Sequence, residues 1–223
     1  MFCLPIISPD TEKVISKMEK AAPHADIFEI RLDLMESFDL KRIIDAAPRP
    51  LMITYRSEAE GGKGIAGPET VAGYLINGAN AGADYVDVEL SMPLSWRDKI
   101  LGSIKKGMSV ISTHVPDHTP SSEELLDIYR KSVETGADIV KIVTLARNWG
   151  DNLRMMELVQ AARDDDALII AFCMGEMGKI SRIMSLLMGA YLGFSSIEAG
   201  EESASGQMPI GEMRKMLEYF RPC

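Results

Sequence analysis

Gly136-Ala137-Asp138-Ile139-Val140-Lys141-Ile142-Val143-Thr144 is a glycine-led turn that runs into a β-branched apolar stretch. Glycine suits a helix C-cap because the missing Cβ admits left-handed backbone, and the run behind it reads as a buried strand. The punctuation recurs as Ala25-Asp26-Ile27 and as Gly82-Ala83-Asp84-Tyr85-Val86, an internal echo of one helix-to-strand transition. Working outward, short apolar runs at 2–7, 27–32, 51–55, 85–90, 109–113, 139–144, 168–173 and 194–199 give eight candidate strands. Amphipathic stretches at 11–21, 70–81, 121–135, 152–163, 180–192 and 210–220, with shorter ones at 40–46 and 96–106, supply a helix after each strand.

Strict strand–helix alternation predicts a mainly parallel sheet covered by helices. Eight units without a linker favour closure into a (β/α)8 TIM barrel, one catalytic domain over residues 1–223. The chain is shorter than the usual ~250 residues of that fold, so its loops should be short. An open doubly wound sheet is the second choice, but no Gly-x-Gly-x-x-Gly follows the first strand.

A formal charge of -9 argues against nucleic-acid and anionic-membrane partners, so an anionic substrate requires a local basic cluster. Cys3, Cys173 and Cys223 are too far apart for a disulfide framework or a Cys-x-x-Cys metal pair, which fits a reducing cytoplasm. Neither a signal peptide nor a run of ~18 apolar residues is evident, so an intracellular, membrane-free protein is expected. Three scattered histidines argue against a metal site.

Lys141 stands inside an otherwise apolar strand, and a desolvated lysine can serve as an amine nucleophile, which makes Schiff-base chemistry the first hypothesis. The plain alternative is a strand-end lysine reaching solvent or paired with a carboxylate. In barrels the chemistry sits at the C-terminal strand ends. Glu29, Arg31 and Asp33 alternate with Ile30 and Leu32 and share one side of the second strand, as a pocket lining or a filling ion pair. Arg56 and Glu60 adjoin a glycine-rich loop after the third strand, and His114 ends the fifth, where it can shuttle protons. His118 and His24 are weaker candidates. After the seventh strand, Ser181 and Arg182 open a helix, where backbone N–H groups and a forked guanidinium suit an anion. Residues 201–207 form a polar loop able to fold over a ligand, or an ordinary surface loop.

These segments together resemble the type I 3-dehydroquinate dehydratases, the Schiff-base dehydroquinases of the shikimate pathway of aromatic amino acid biosynthesis. The motifs are Glu29-Ile30-Arg31-Leu32-Asp33, Thr54-Tyr55-Arg56 with Glu60-Gly61-Gly62, Ser112-Thr113-His114 with Thr119-Pro120, Asp138-Ile139-Val140-Lys141, Met174-Gly175 with Gly178 and Ser181-Arg182, and Ser203-Ala204-Ser205-Gly206-Gln207. The resemblance implies a barrel hydro-lyase, without cofactor or metal, that turns 3-dehydroquinate into 3-dehydroshikimate and water; a cytoplasmic homodimer is expected. It makes Lys141 the imine-forming amine, His114 the proton shuttle, Glu60 its orienting partner and Arg182 the carboxylate clamp. Glu29, Arg31, Arg56, Ser203 and Gln207 would hold the substrate and close the lid. Arg31, Arg56, Lys141 and Arg182 would supply positive potential and keep the lysine amine neutral.

Thr113 stands where the family often has tyrosine, Val115-Pro116 where an acidic-aromatic pair is usual, Cys173 where serine is common and Ser205 where proline is common. None of these removes a catalytic group. Two alternatives remain open at this level: a class I aldolase, which would want a phosphate site at strands seven and eight, and a non-catalytic ligand-binding barrel. Asp87 and Glu89 in the fourth strand read as supporting charges or a buried pair. Met184, Leu187, Met188 and Tyr191 suit either a symmetric interface or the core.

Overall fold

A computed structural model describes residues 1–220; Cys223 lies outside the described residues. Its strands are β1 (Phe2–Ile6), β2 (Ile27–Arg31), β3 (Leu51–Thr54), β4 (Tyr85–Glu89), β5 (Met108–Val115), β6 (Ile139–Leu145), β7 (Leu168–Met174) and β8 (Gly193–Phe194). The helices between and after them are α1 (Thr11–Ala21), α2 (Leu40–Asp45), α3 (Pro68–Ala81), α4 (Leu94–Ser103), α5 (Ser122–Val133), α6 (Trp149–Asp164), α7 (Lys179–Leu187) and α8 (Ile210–Phe220). The strands are parallel and ordered β7-β6-β5-β4-β3-β2-β1-β8, which is the (β/α)8 barrel expected from the alternation.

Closure is incomplete at one seam. β8 pairs with β1 through Phe2 opposite Gly193 and Cys3 opposite Phe194, but no ladder joins β7 to β8 among the described residues. The gap is bridged by the Tyr191 N–H donating to the Ile169 carbonyl at 2.8 Å and by the Phe172 and Phe194 rings, 6.0 Å apart. The last strand is shorter than the expected 194–199 because Ser196 leaves β1: its N–H donates to Met208 and its carbonyl accepts from Ile210. α7 stops at Leu187, short of 192, where Gly189 at φ +100° turns the chain and Ala190 donates back to Ser185. α6 starts before 152 because Asn148 and Asp151 form a reciprocal capping box.

The Ala-Asp echo has a structural cause. Asp26, Asp84 and Asp138 each precede an even-numbered strand and accept a backbone N–H at the start of the odd strand beside it: Phe2 at 2.7 Å, Leu51 at 2.9 Å and Ser109 at 2.7 Å. Those N–H groups lie at the N-terminal rim, where a parallel ladder leaves donors to be satisfied by side chains or water.

Outward-facing strand residues such as Leu4, Phe28, Ile53, Val86 and Ile111 join the helices in the main core, and Val140, Ile142, Ile169 and Ala171 do so beside α5 and α6. The inward-facing set divides by height. Cys3, Ile27, Met52, Val110, Ile139 and Ile170 fill an apolar floor, and the next inward residues toward the strand C-termini are Glu29, Thr54, Asp87, Ser112 and Lys141. Of the four interface candidates, Met184 is exposed whereas Leu187, Met188 and Tyr191 pack against the cores. Among the described residues no helix is long and apolar enough to cross a membrane.

Asp138→Ala removes the acceptor for both the Ser109 N–H and its hydroxyl, each at 2.7 Å. The expected cost is about 1–2 kcal/mol, read as a lower urea midpoint at unchanged m-value.

Candidate active site

A cavity of about 270 Å³ opens at the C-terminal strand ends and is lined by Glu29, Arg31, Arg56, Glu60, His114, Lys141, Arg182, Ser203 and Gln207, together with Phe172, Met174 and Phe194. Lys141 sits opposite Ser112 of β5 and Ile170 of β7, deep in the barrel and almost fully buried. Its Nζ is 2.8 Å from Asp87 Oδ2, 3.4 Å from Glu29 Oε1 and 4.3 Å from the centre of the Phe194 ring. Glu29 is steadied by the Thr54 hydroxyl, which donates to the same Oε1 at 3.0 Å.

Arg56 ties the polar side together. Its Nη2 donates to Asp87 Oδ1 at 2.8 Å, and its Nη1 lies within 3.1 Å of Glu60 Oε2, Glu89 Oε1 and Ser112 Oγ. Burial opposes charge on this guanidinium, but Asp87, Glu60 and Glu89 outweigh it and raise its pKa. The loop after β3 wraps tightly around Arg56: a Cβ on Gly62 would meet the Arg56 carbonyl at 2.2 Å, so only glycine fits. Asp33 holds the other side, accepting from Arg31 Nε at 2.8 Å and Nη2 at 2.7 Å, and from the Arg56 and Lys63 N–H groups.

His114 and Glu60 form the next pair. Glu60 Oε2 accepts the His114 N–H at 3.0 Å and lies 3.3 Å from Nδ1, while Ser91 donates to Oε1 at 2.9 Å. An Nδ1–H donating to Glu60 leaves Nε2 with the lone pair, the tautomer this network favours. Burial lifts the Glu60 carboxyl to about 7, against the pull of Arg56 and with repulsion from Glu89. Burial, then the charges of Arg56 and Lys141, push the His114 pKa well below its usual value, so its imidazole is neutral at pH 7.

Arg182 lies opposite in character. It is buried at the start of α7 with its guanidinium 4.4 Å above the Phe172 ring, and burial lowers its pKa to about 10. Nη2 donates to the Ser205 carbonyl at 3.2 Å, but Nε and Nη1 have no hydrogen-bond partner among the described residues. A buried guanidinium with two orphaned donors and no carboxylate partner among the described residues is prepared for an anion. The final loop reaches it: Gly175 N–H also donates to Ser205 O at 3.1 Å, and Gly206 at φ +77° passes so close that a Cβ would meet Gly175 O at 2.3 Å. Within that loop, Gln207 Oε1 accepts from Ser203 N at 2.7 Å.

This chain matches the family model described as Type I 3-dehydroquinase over residues 2–221. The chain belongs to the type I 3-dehydroquinase family. It is 33% identical over 225 residues to the 3-dehydroquinate dehydratase of Methanococcus maripaludis, covering 99% of this chain and 100% of that one. It is 34% identical to the Arabidopsis thaliana chloroplastic bifunctional 3-dehydroquinate dehydratase/shikimate dehydrogenase, spanning 37% of that longer protein. The crystal structure of a type I 3-dehydroquinate dehydratase from Clostridium difficile with covalently modified comenic acid superposes with a TM-score of 0.87 at 28% identity, covering 98% of this chain and 90% of that one.

All nine expected site residues of this dehydroquinase line the one cavity, but their connections differ from expectation. The four cations do not cluster around the Lys141 amine. Arg31 is committed to Asp33 and Arg56 to three carboxylates, so carboxylates rather than guanidiniums contact Lys141, and Arg182 is the cation with buried donors to spare. Ser181 is no anion ligand either: its hydroxyl donates to Gly178 O at 2.7 Å and accepts the Cys173 N–H at 2.8 Å. His118 pairs with Asp117 at the surface, and His24 lies exposed near the end of α1. Asp87 and Glu89, left open by the sequence, both bind Arg56, and Asp87 also binds Lys141. Alternation along β4 placed them inward; their partners needed the closed barrel. Phe172 and Phe194 had no signal beyond ordinary strand hydrophobicity.

Arg182→Leu removes an unpaired buried charge and leaves an apolar side chain beside Phe172. The ligand-free protein should gain about 1–3 kcal/mol in denaturant unfolding while losing the thermal stabilisation that a carboxylate ligand gives wild type.

Proposed function

We propose that the protein converts 3-dehydroquinate to 3-dehydroshikimate and water through an imine on Lys141. The observation that carries this reading is the buried, orphaned Arg182 guanidinium in the same cavity as Lys141 and the His114–Glu60 pair. The substrate is a carboxylate with a ketone and a departing hydroxyl, and each of those groups finds its counterpart. Its carboxylate takes free donors of the Arg182 guanidinium, whose Nε and Nη1 are unpartnered, and this fixes the ring. Nζ of Lys141 attacks the ketone carbon, and the two hydrogens it sheds pass by way of His114 to the former ketone oxygen, which leaves the carbinolamine as water to give the iminium.

The iminium draws electrons and acidifies the adjacent carbon. His114 Nε2 takes that proton, giving the enamine, and then returns a proton to the neighbouring hydroxyl, which leaves as water. Hydrolysis of the conjugated iminium consumes one water, releases the product and restores Lys141, so one water is lost overall. Glu60 accepts from Nδ1 and steadies the imidazolium while it exists. Glu29, Arg31, Ser203 and Gln207 meet the hydroxyls and ring edge, and Arg56 lends its face while holding Glu60 and Asp87 in place. The loop of Ser203–Gln207 covers the bound anion through its contact with Arg182. The same reading takes the protein to act in the cytoplasm as a homodimer, supported by the unpaired Cys3 and Cys173 and by exposed Ile180 and Met184 one turn apart on α7; sedimentation velocity checks the dimer.

Incubation with 3-dehydroquinate should produce the ultraviolet absorbance of the conjugated product, and borohydride should trap an adduct that peptide mapping places on Lys141. Lys141→Ala should give neither; a folded wild type without turnover or adduct would refute the mechanism. Glu60 sets the pH response. Below about 7 its carboxyl is protonated and no longer accepts from His114 as a carboxylate, so kcat/KM should fall as pH drops through the apparent pKa of the pair. Glu60→Gln should erase that limb and lower kcat on the order of a hundredfold.

A further inference from the structure

We propose that Asp87 is the counter-ion of the Lys141 iminium, a catalytic residue in contact with the reacting nitrogen that holds the amine beforehand and keeps the imine nitrogen protonated during the proton transfers. Such a role presupposes that 3-dehydroquinate forms its imine on Lys141. Asp87 Oδ2 lies 2.8 Å from Nζ, closer than Glu29 at 3.4 Å, so it is the nearest anion to the nitrogen that carries positive charge once the imine has formed. Its other oxygen is fixed by Arg56 Nη2 at 2.8 Å and by the Ser112 hydroxyl at 2.6 Å. Asp87 is 1% exposed, so no solvent competes for the contact.

The surroundings keep this carboxylate ionised. Burial alone would raise its pKa, but Arg56, then Lys141 and His114, outweigh burial and hold it well below the usual carboxylate range. Cys3 on β1, Glu29 on β2, Arg56 after β3, His114 on β5, Lys141 on β6 and Glu89 on β4 itself are the titratable groups around it. A neutral imine is a poor electron sink, because withdrawing the neighbouring C–H pair into it would leave an uncompensated nitrogen anion. A fixed anion beside the N–H+ favours the protonated form, and a preorganised charge in a water-poor site needs no rearrangement as the reaction proceeds. No bond to Asp87 forms or breaks, and its proton count is unchanged throughout. Because the contact is to the reacting nitrogen and not to the substrate's carboxylate or hydroxyls, its loss should appear in kcat rather than KM.

The test compares wild type, Asp87→Asn and Asp87→Glu with 3-dehydroquinate, each first checked by circular dichroism and thermal melting. Expected are a kcat reduced on the order of a hundredfold in Asp87→Asn with KM changed less than about threefold, and partial recovery in Asp87→Glu. Borohydride trapping on Lys141 should in addition fade at a lower pH in Asp87→Asn than in wild type, a shift that a merely structural role would not produce. Normal kcat in Asp87→Asn, or a reduced kcat with an unshifted trapping profile, would overturn the proposal. If Asp87→Asn does not fold, wild type decides: its imine should stay protonated to a higher pH than the imine of a simple alkylamine with the same ketone in water, and equal values would overturn it. A wild type that neither turns over nor forms an adduct would instead bring down the dehydratase reading itself.

Discussion

The rest of the site depends on one guanidinium. Arg56 is buried among Asp87, Glu60 and Glu89, and through them it reaches both the amine of Lys141 and the ring of His114. Buried charges are tolerated only when paired and hydrogen-bonded, and removing one partner leaves the others uncompensated at a cost of about 3–5 kcal/mol. Four carboxyl groups, Glu29, Glu60, Asp87 and Glu89, face two cations here, Arg56 and Lys141. The excess has a visible result. Burial and the neighbouring Glu89 raise Glu60 to about 7, while Asp87, wedged between the two cations, stays strongly acidic. Similar side chains thus take different protonation behaviour from their places in one network, the arrangement an acid–base site requires.

Across the cavity the logic reverses. Among the described residues Arg182 rests on Phe172 with no carboxylate partner and two orphaned donors. The carboxylate-rich side is saturated by its own ion pairs, so it offers an incoming anion no free cation there, and the unsatisfied positive end draws it instead. This distribution explains how a chain of net charge -9 can select an acidic substrate: the field that matters is local and shielded from the surface. The cost is borne by the empty protein, which keeps a charge underground for a ligand to satisfy.

The fold was legible because its signal is repetitive. Eight apolar runs alternating with amphipathic stretches admit few arrangements, and α1 and α8 fall where periodicity places them. Boundaries failed where local chemistry outranked periodicity, as at the Asn148 cap of α6 and the Gly189 stop of α7. For the site, position was readable and connection was not. Alternation in β2 and β4 points Glu29, Arg31, Asp87 and Glu89 inward, but that Arg31 should be taken by Asp33, or that Asp87 should bridge Arg56 to Lys141, depends on contacts between residues 31 or more positions apart or on a turn that bends Asp33 back. Ser181 misled for a similar reason: beside Arg182 at a helix start it looks like an anion ligand, yet it closes the β7–α7 turn.

The weak seam and the covering loop belong together. β8 is two residues long and lacks a ladder to β7, so the polypeptide after it is released early from the barrel wall. That release lets residues 201–207 cross above β7, where Ser205 O receives both Gly175 N–H and Arg182 Nη2. A fully paired eighth strand running to 199 would carry the chain along β1 and away from Arg182. The guanidinium with the unpartnered donors therefore also tethers the loop, so a change in its orientation would act directly on the cover. Gly206 makes this close crossing possible, because any side chain there would strike Gly175. With serine at 205, the loop's shape rests on that glycine and on the carbonyl contacts of Ser205 rather than on a fixed φ there.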